Sequence, residues 1–191
     1  MKMKYPSLDA LAVAKEIVQL IKPRCERIII AGSLRRRKQE VGDVEIVFIP
    51  KFTMTKDLNS LFPEQIRTND TFLAIKEMLD GKTIEKRLNE NGLESWGNKN
   101  KLAVHARSGI PIDFFATDDL CWFNYLTCRT GGAENNKRIA MTANKKGWTW
   151  NPYGPGFSKM DNPNEKSVTM LSEKDVFDFV GLTYLEPWER S

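Results

Sequence analysis

Asp43, Glu45 and Asp113 are the acids of this 191-residue chain whose neighbours make a simple solvated role hard to sustain. Side chains two apart on a β-strand point to one side, so Asp43 and Glu45 share a face while Val44, Ile46 and Phe48 take the other. Val47 and Ile49 follow the acids on their own face, so both sides of the strand are largely covered, as in a central strand. Two adjacent carboxylates there repel each other and lose hydration unless cations offset them. Asp113, in "IPIDFFA", is likewise flanked by apolar residues. Three carboxylates on neighbouring strands are the usual means of holding two Mg²⁺ ions roughly 3.5–4 Å apart for phosphoryl transfer. The plainer alternative is a strand end whose acids reach solvent or pair with nearby arginines.

Those arginines come just before the acids. In "GSLRRRKQEVGDVE" a glycine and a serine lead into Arg35, Arg36, Arg37 and Lys38. A strand that ends in Gly32-Ser33 and turns into a helix offers free backbone N–H groups at the helix's positive end, which suits a phosphate. Arg36 and Arg37, three and four residues after Ser33, are predicted to share that helix's face. Taken alone, such a basic run is better explained by solvation. The acids that follow shift the balance toward a site for a polyanion and metal ions.

Period and punctuation outline the elements that must position these residues. Ser7 is read as the cap of a helix with Leu11, Ala14, Ile17, Val18 and Ile21 at helical spacing, ended by Pro23. Residues 27–31 form a buried strand broken by Gly32, residues 51–69 read as loop, and a helix over 71–79 stops at Gly81. Residues 101–107 and 110–116 read as strands joined by a tight turn at Ser108-Gly109. That turn pairs Asp113 with Val104, and His105 with Ile112 on the opposite face, leaving the lone histidine outside the site.

Beyond Thr117, Asp118 and Asp119 open an aromatic-rich helix, "CRTGGAEN" is a glycine-bearing break, and "NNKRIAMTANKK" is a second helix. Then come a strand "WTW", a turn "NPYGPG", and a helix opened by Ser172 and Asp175 in a capping-box pattern and stopped by Gly181. The fold class is α+β, with a unit on a mixed sheet over residues 1–125 and a small α+β unit over 126–191.

The bulk numbers narrow the function classes. With 41% hydrophobic residues and a mean hydropathy of −0.45, the chain reads as soluble and globular. No membrane span or signal peptide is visible, because Asp9, Lys15 and Glu16 interrupt the N-terminal apolar pattern. Three cysteines without a C-x-x-C pair, and one histidine, argue against structural zinc and for a reducing, cytoplasmic setting, prokaryotic or viral. A net charge of +4 permits a polyanionic partner without demanding one.

"GSLRR" followed by "GDVE", eleven positions from Gly32 to Asp43, resembles the nucleotidyltransferase motif of family X DNA polymerases, the group of DNA polymerase beta. "TGGAENNKRIAMTANKKGW" and "SEKDVFDFVGLTYLEPWERS" are similar to that group's thumb subdomain, and make the likeness more specific than the carboxylate motif alone. The resemblance implies a nucleotidyltransferase palm with a mixed sheet over residues 1–125 and a thumb subdomain over 126–191. It implies that Asp43, Glu45 and Asp113 are the catalytic, metal-holding triad, with Asp113 nearest the primer 3′-hydroxyl. It also implies two Mg²⁺ ions, for which Mn²⁺ can substitute. Gly32, Ser33, Arg36 and Gly42 fall where the family holds the triphosphate, Thr130-Gly131 beside the sugar, and Asn136 against the incoming base. A rival register uses Tyr125-Leu126-Thr127 beside the sugar but needs an inserted residue, so the ungapped one is preferred.

The sequence departs from the family at several positions. Glu45 stands where aspartate is usual, and Cys128-Arg129 replace an aromatic pair. Pro111 occupies the place of an arginine bonded to the third carboxylate, so Asp113 is expected to lack that partner. The expected layout is a minimal palm-plus-thumb form without the family's lyase domain. The implied activity is addition of deoxynucleotides to a primer with pyrophosphate release, in DNA repair or gap filling. Its partners would be primer-template or gapped DNA and nucleoside triphosphates, acted on by a monomer. The rivals are a nucleotidyltransferase acting on RNA, a protein or a small molecule, and a catalytically silent nucleic-acid-binding module.

Overall fold

The computed structural model describes residues 3–56, 65–162 and 164–191. In chain order the first half comprises β1 (Tyr5–Pro6), α1 (Ser7–Ile21), β2 (Cys25–Ile30), α2 (Gly32–Arg35), β3 (Glu40–Val41), β4 (Val44–Pro50), β5 (Phe52–Lys56), β6 (Gln65–Asn69), α3 (Asp70–Asp80), β7 (Ile84–Lys86), β8 (Asn100–His105) and β9 (Pro111–Ala116). The second half comprises α4 (Trp122–Thr130), α5 (Ala133–Lys145), β10 (Trp148–Trp150), β11 (Gly156–Lys159), β12 (Val168–Thr169) and α6 (Glu173–Val180).

A five-stranded sheet in the order β2-β4-β9-β8-β7 carries the first half, parallel between β4 and β9 and antiparallel elsewhere. The alternation along β4 decides which side faces which layer. Val44, Ile46 and Phe48, with Ile112 and Phe114 of β9, pack beneath α1 and α3, whose buried stripes run through Ala10, Ala14, Ile17 and Ile21 and through Ala74, Ile75 and Met78. Val47, Ile49 and Phe115 face the other way, against Trp122, Tyr125 and Leu126 of α4. The acids therefore head the sheet face that α4 covers. The second half builds its own core from Ile139, Ala143, Trp150, Phe157, Met170, Val176, Phe177 and Val180 around the β10-β11-β12 sheet.

The expected boundary between residues 125 and 126 falls inside α4. That helix belongs to both layers: Trp122, Tyr125 and Leu126 meet the large sheet, while Cys128 packs against the second core. The chain break comes later, at Gly131-Gly132, between α4 and α5.

Several elements differ from the sequence expectation. The segment read as loop holds an antiparallel ribbon of β5 and β6, with residues 57–64 of that stretch outside the described residues. Phe52, Met54 and Ile66 of the ribbon are exposed, so it carries no core stripe to betray it. Ser7 does not cap α1 with its side chain; its N–H donates to the Gln39 carbonyl (2.9 Å), next to the β1–β3 pair. The β8–β9 connection is wider than a two-residue turn, with the His105 N–H donating to the Ile110 carbonyl at 2.9 Å. Asp113 consequently pairs with Leu102 rather than Val104, a shift of two that leaves every side chain on its expected face. His105 is buried on the far side with Nδ1 2.8 Å from Ser108 Oγ, a satisfied structural histidine.

Candidate active site

Glu45 and Asp113 stand directly opposite each other across the parallel β4–β9 pair, and Asp43 immediately precedes β4. The backbone thus brings the three acids to one end of two adjacent central strands. Glu45 is pushed up to about 7, chiefly by burial, then by the negative charges of Asp43 and Asp113, against the pull of Arg129 and Arg36. Burial first, and like-charged neighbours second, disfavour the ionised form of Glu45.

Gly32 is tied to Glu45 by space. Its φ of +60° lies in the left-handed region, and a Cβ there would stand 1.9 Å from Glu45 Oε2. The glycine lets the longer glutamate fold back over the start of α2. Gly42 is buried beside Asp43, and Ser33 sits half-buried in α2. That helix is a single turn of four residues, so its dipole is small.

The basic run divides three ways instead of forming one face. Arg36 Nη1 donates to the Thr130 carbonyl at 2.8 Å. Burial lowers the Arg36 pKa from its usual value, opposed by attraction to Glu45 and Asp43. Arg35 grips Glu173 of α6 through two hydrogen bonds of 2.9 and 2.5 Å and also donates to Thr130 Oγ1 at 2.5 Å. Arg37, at φ +57°, leaves the helix and lies 4.0 Å over the Trp188 ring. The side chain predicted to share a face with Arg36 therefore points elsewhere.

Thr130 is a joint between the two halves rather than an open turn, since it is buried and accepts from both Arg35 and Arg36. Gly131 is constrained by Asn136, whose Oδ1 would lie 2.4 Å from a Cβ at that position. Asn136 Nδ2 in turn donates to the Cys128 carbonyl at 2.9 Å, holding the last turn of α4. Thr130, Gly131 and Asn136 form one cluster, linked to the carboxylates through Arg36. Tyr125, of the rival register, is buried against the large sheet with its ring 5.4 Å from that of Tyr153.

Residues 125–191 match the family model described as the DNA polymerase beta thumb. The chain is also 25% identical over 178 residues to DNA polymerase lambda of Arabidopsis thaliana, covering 86% of this chain and 32% of that protein. Across 99% of its length it superposes on 77% of a crystal structure of Leishmania infantum polymerase beta in a ternary P/T complex, with a TM-score of 0.73 and 18% identity. The chain is family X DNA polymerase-like. It spans about a third of the length of the curated relative it matches.

In this polymerase-like chain two arginines that sequence reasoning did not bring to the carboxylates complete the site. Asp113 does not lack an arginine: Arg87, from the connection between β7 and β8, reaches Asp113 Oδ1 at 2.5 Å. The backbone explains the reach, because the Arg87 N–H donates to the carbonyl of Leu102, the residue paired with Asp113. A partner 26 residues away in a connecting segment leaves no local spacing signal. Arg129 lies 3.5 Å over Phe115, with Nη1 3.9 Å from Glu45 Oε1.

The carboxylate set is chemically suited to a hard divalent cation, and its mutual repulsion calls for one. As they stand, no three His, Cys, Asp or Glu side chains among the described residues are gathered closely enough to hold a metal ion. Asp113 is drawn to Arg87 and Glu45 lies toward Gly32 and Arg129. On the strand of the second half, Trp150 is buried with Nε1 donating to Asn124 Oδ1 at 2.6 Å, and Trp148 packs edge-on against Phe179. Both tryptophans serve packing. Lys137, Arg138 and Lys145 of α5 line a groove of about 490 Å³ together with Leu185 and Ser191.

Proposed function

We propose that this chain is a metal-dependent DNA nucleotidyltransferase that adds deoxynucleotides to a primer 3′-hydroxyl and releases pyrophosphate, in repair or gap filling. The observation that carries the proposal is the meeting of Glu45 and Asp113 in register on adjacent parallel strands, with Asp43 one position before β4. Asp43, Glu45 and Asp113 would hold Mg²⁺ or Mn²⁺, which when bound neutralises phosphate charge and acidifies the attacking hydroxyl. Asp113 is the acid suited to accept the hydroxyl proton, and Arg87 fixes the carboxylate's orientation. Arg36, with the backbone N–H groups around Gly32 and Ser33, is suited to the triphosphate. Because Arg36 also bonds the Thr130 carbonyl, a bound triphosphate would be sensed by α4 directly. Catalysis then rests on positioning and charge neutralisation.

The test is primer extension with Mg²⁺ or Mn²⁺ on single-stranded, primed and gapped DNA, each nucleotide supplied separately. Addition directed by the templating base supports a gap-filling polymerase. Addition without a template moves the assignment to a terminal transferase. No addition on any DNA favours a nucleotidyltransferase with another acceptor, or a silent binding module.

A further inference from the structure

We infer that Arg129 is the resident counter-cation of Glu45 and sets how tightly the carboxylate site takes a divalent metal. The inference rests on the metal-dependent assignment above. Four charged groups act on Glu45: Asp43 and Asp113 repel its negative form, while Arg129 and Arg36 attract it. Of the two cations, Arg36 already spends a hydrogen bond on the Thr130 carbonyl. Among the described residues Arg129 bonds no backbone carbonyl, and its hydrogen bond is with the Tyr125 side chain. Its Nη1 stands 3.9 Å from Glu45 Oε1, close enough for Coulomb attraction and too far for a hydrogen bond. A contact of that kind is exchangeable.

The aromatic residues around Arg129 hold it beside Glu45. Its guanidinium lies 3.5 Å over Phe115, 5.1 Å from the Tyr153 ring and 5.5 Å from the Tyr125 ring. Phe115 is two residues past Asp113 on the same face of β9, so the stacking platform is built into the acid-bearing strand. Tyr153 is held in turn by its own loop, where Asn124 Nδ2 donates to the carbonyls of Asn151 (2.6 Å) and Gly154 (2.8 Å). Among the described residues Arg129 Nε is buried without a hydrogen-bond partner, so stacking, charge and a side-chain hydrogen bond with Tyr125 hold the guanidinium. A cation held this way competes with a metal for Glu45. Because Arg129 belongs to α4, which packs on both halves, the competition also joins metal occupancy to the position of that helix.

Isothermal titration of Mn²⁺ into the full chain without DNA tests the inference, comparing the parent with Arg129→Met and Arg129→Lys. Methionine keeps length and apolar packing but removes the charge; lysine keeps the charge and loses the planar stacking. The expected result is an Mn²⁺ Kd about five- to fiftyfold lower in Arg129→Met, from loss of a partly screened charge near 4 Å, and within about threefold of the parent in Arg129→Lys. An Arg129→Met Kd unchanged or raised overturns the inference, as does Arg129→Lys matching Arg129→Met, which would indicate packing alone. Should Arg129→Met not fold, the parent decides: the Arg129 Nε–H resonance must move as Mg²⁺ saturates the site, and an unmoved resonance overturns the inference. Absence of saturable metal binding in both parent and variant overturns it together with the assignment it rests on. Tight metal binding without nucleotide addition overturns only that assignment.

Discussion

A Cβ on residue 32 would lie 1.9 Å from Glu45 Oε2, in a backbone conformation that L side chains rarely adopt. The glycine at the start of α2 and the acid on β4 therefore occupy interlocking space. Gly32→Ala must either expel the Glu45 carboxylate or unwind the turn. A loss of about 2–4 kcal/mol in urea unfolding is expected, from φ strain plus steric displacement, with nucleotide addition reduced at least in proportion. Wild-type stability in this variant would show that Glu45 is not held over Gly32.

Glu173 joins the halves as the shared anion of Arg35 (2.5 Å) and the fully buried Arg190 (2.7 Å). Burial alone would raise its pKa, but the hydrogen bond from Arg35 and the charge of Arg190 outweigh it and hold the carboxyl below its usual range. A depressed folded value stabilises the protein above the ordinary carboxyl pKa, and that stabilisation is lost as pH falls through the folded value. Glu173→Gln should cost about 3–5 kcal/mol at neutral pH, because it leaves a buried guanidinium unpaired. The gap between parent and variant should close in acid. A cost under about 1 kcal/mol at neutral pH would remove this residue from the joint.

Glu45 has the opposite sign. Raised to about 7 in the metal-free protein, it favours folding in its protonated form, a contribution present below the ordinary carboxyl pKa and lost as pH rises through 7. In EDTA the parent should therefore lose on the order of 1–3 kcal/mol relative to Glu45→Gln between about pH 5 and pH 8. Parallel unfolding profiles for the two proteins would contradict the crowded-acid account.

The carboxylate strand was legible because its period is strict: Val44, Ile46 and Phe48 on one face, then Val47 and Ile49 behind Glu45 on the other. The side on which Asp113 lies was legible for the same reason, since a register error of two preserves the face even though Leu102 replaced Val104 as its partner. The β5–β6 ribbon was not, because Phe52, Met54 and Ile66 are exposed and Thr53, Thr55 and Thr68 read equally well as loop. The arginines show the same limit within the site. A run such as Arg35-Arg36-Arg37 announces charge, yet its division among Glu173, Thr130 and Trp188 depends on where α4 and α6 dock. Arg87 and Arg129 reach Asp113 and Glu45 only through the sheet order and the α4 contact, neither of which has a local signature.

The proposed function depends on Asp43 and Asp113 holding the metal for nucleotide addition. Single-turnover incorporation of the templated deoxynucleotide into a gapped duplex, by the parent and by Asp43→Asn and Asp113→Asn, addresses it most directly. Addition by the parent with Mg²⁺ or Mn²⁺ is expected, with a loss of about a thousandfold or more in each variant. Circular dichroism and DNA affinity should stay near parental values in both. Substantial incorporation by either folded variant, or none by the parent with either metal, would contradict the account.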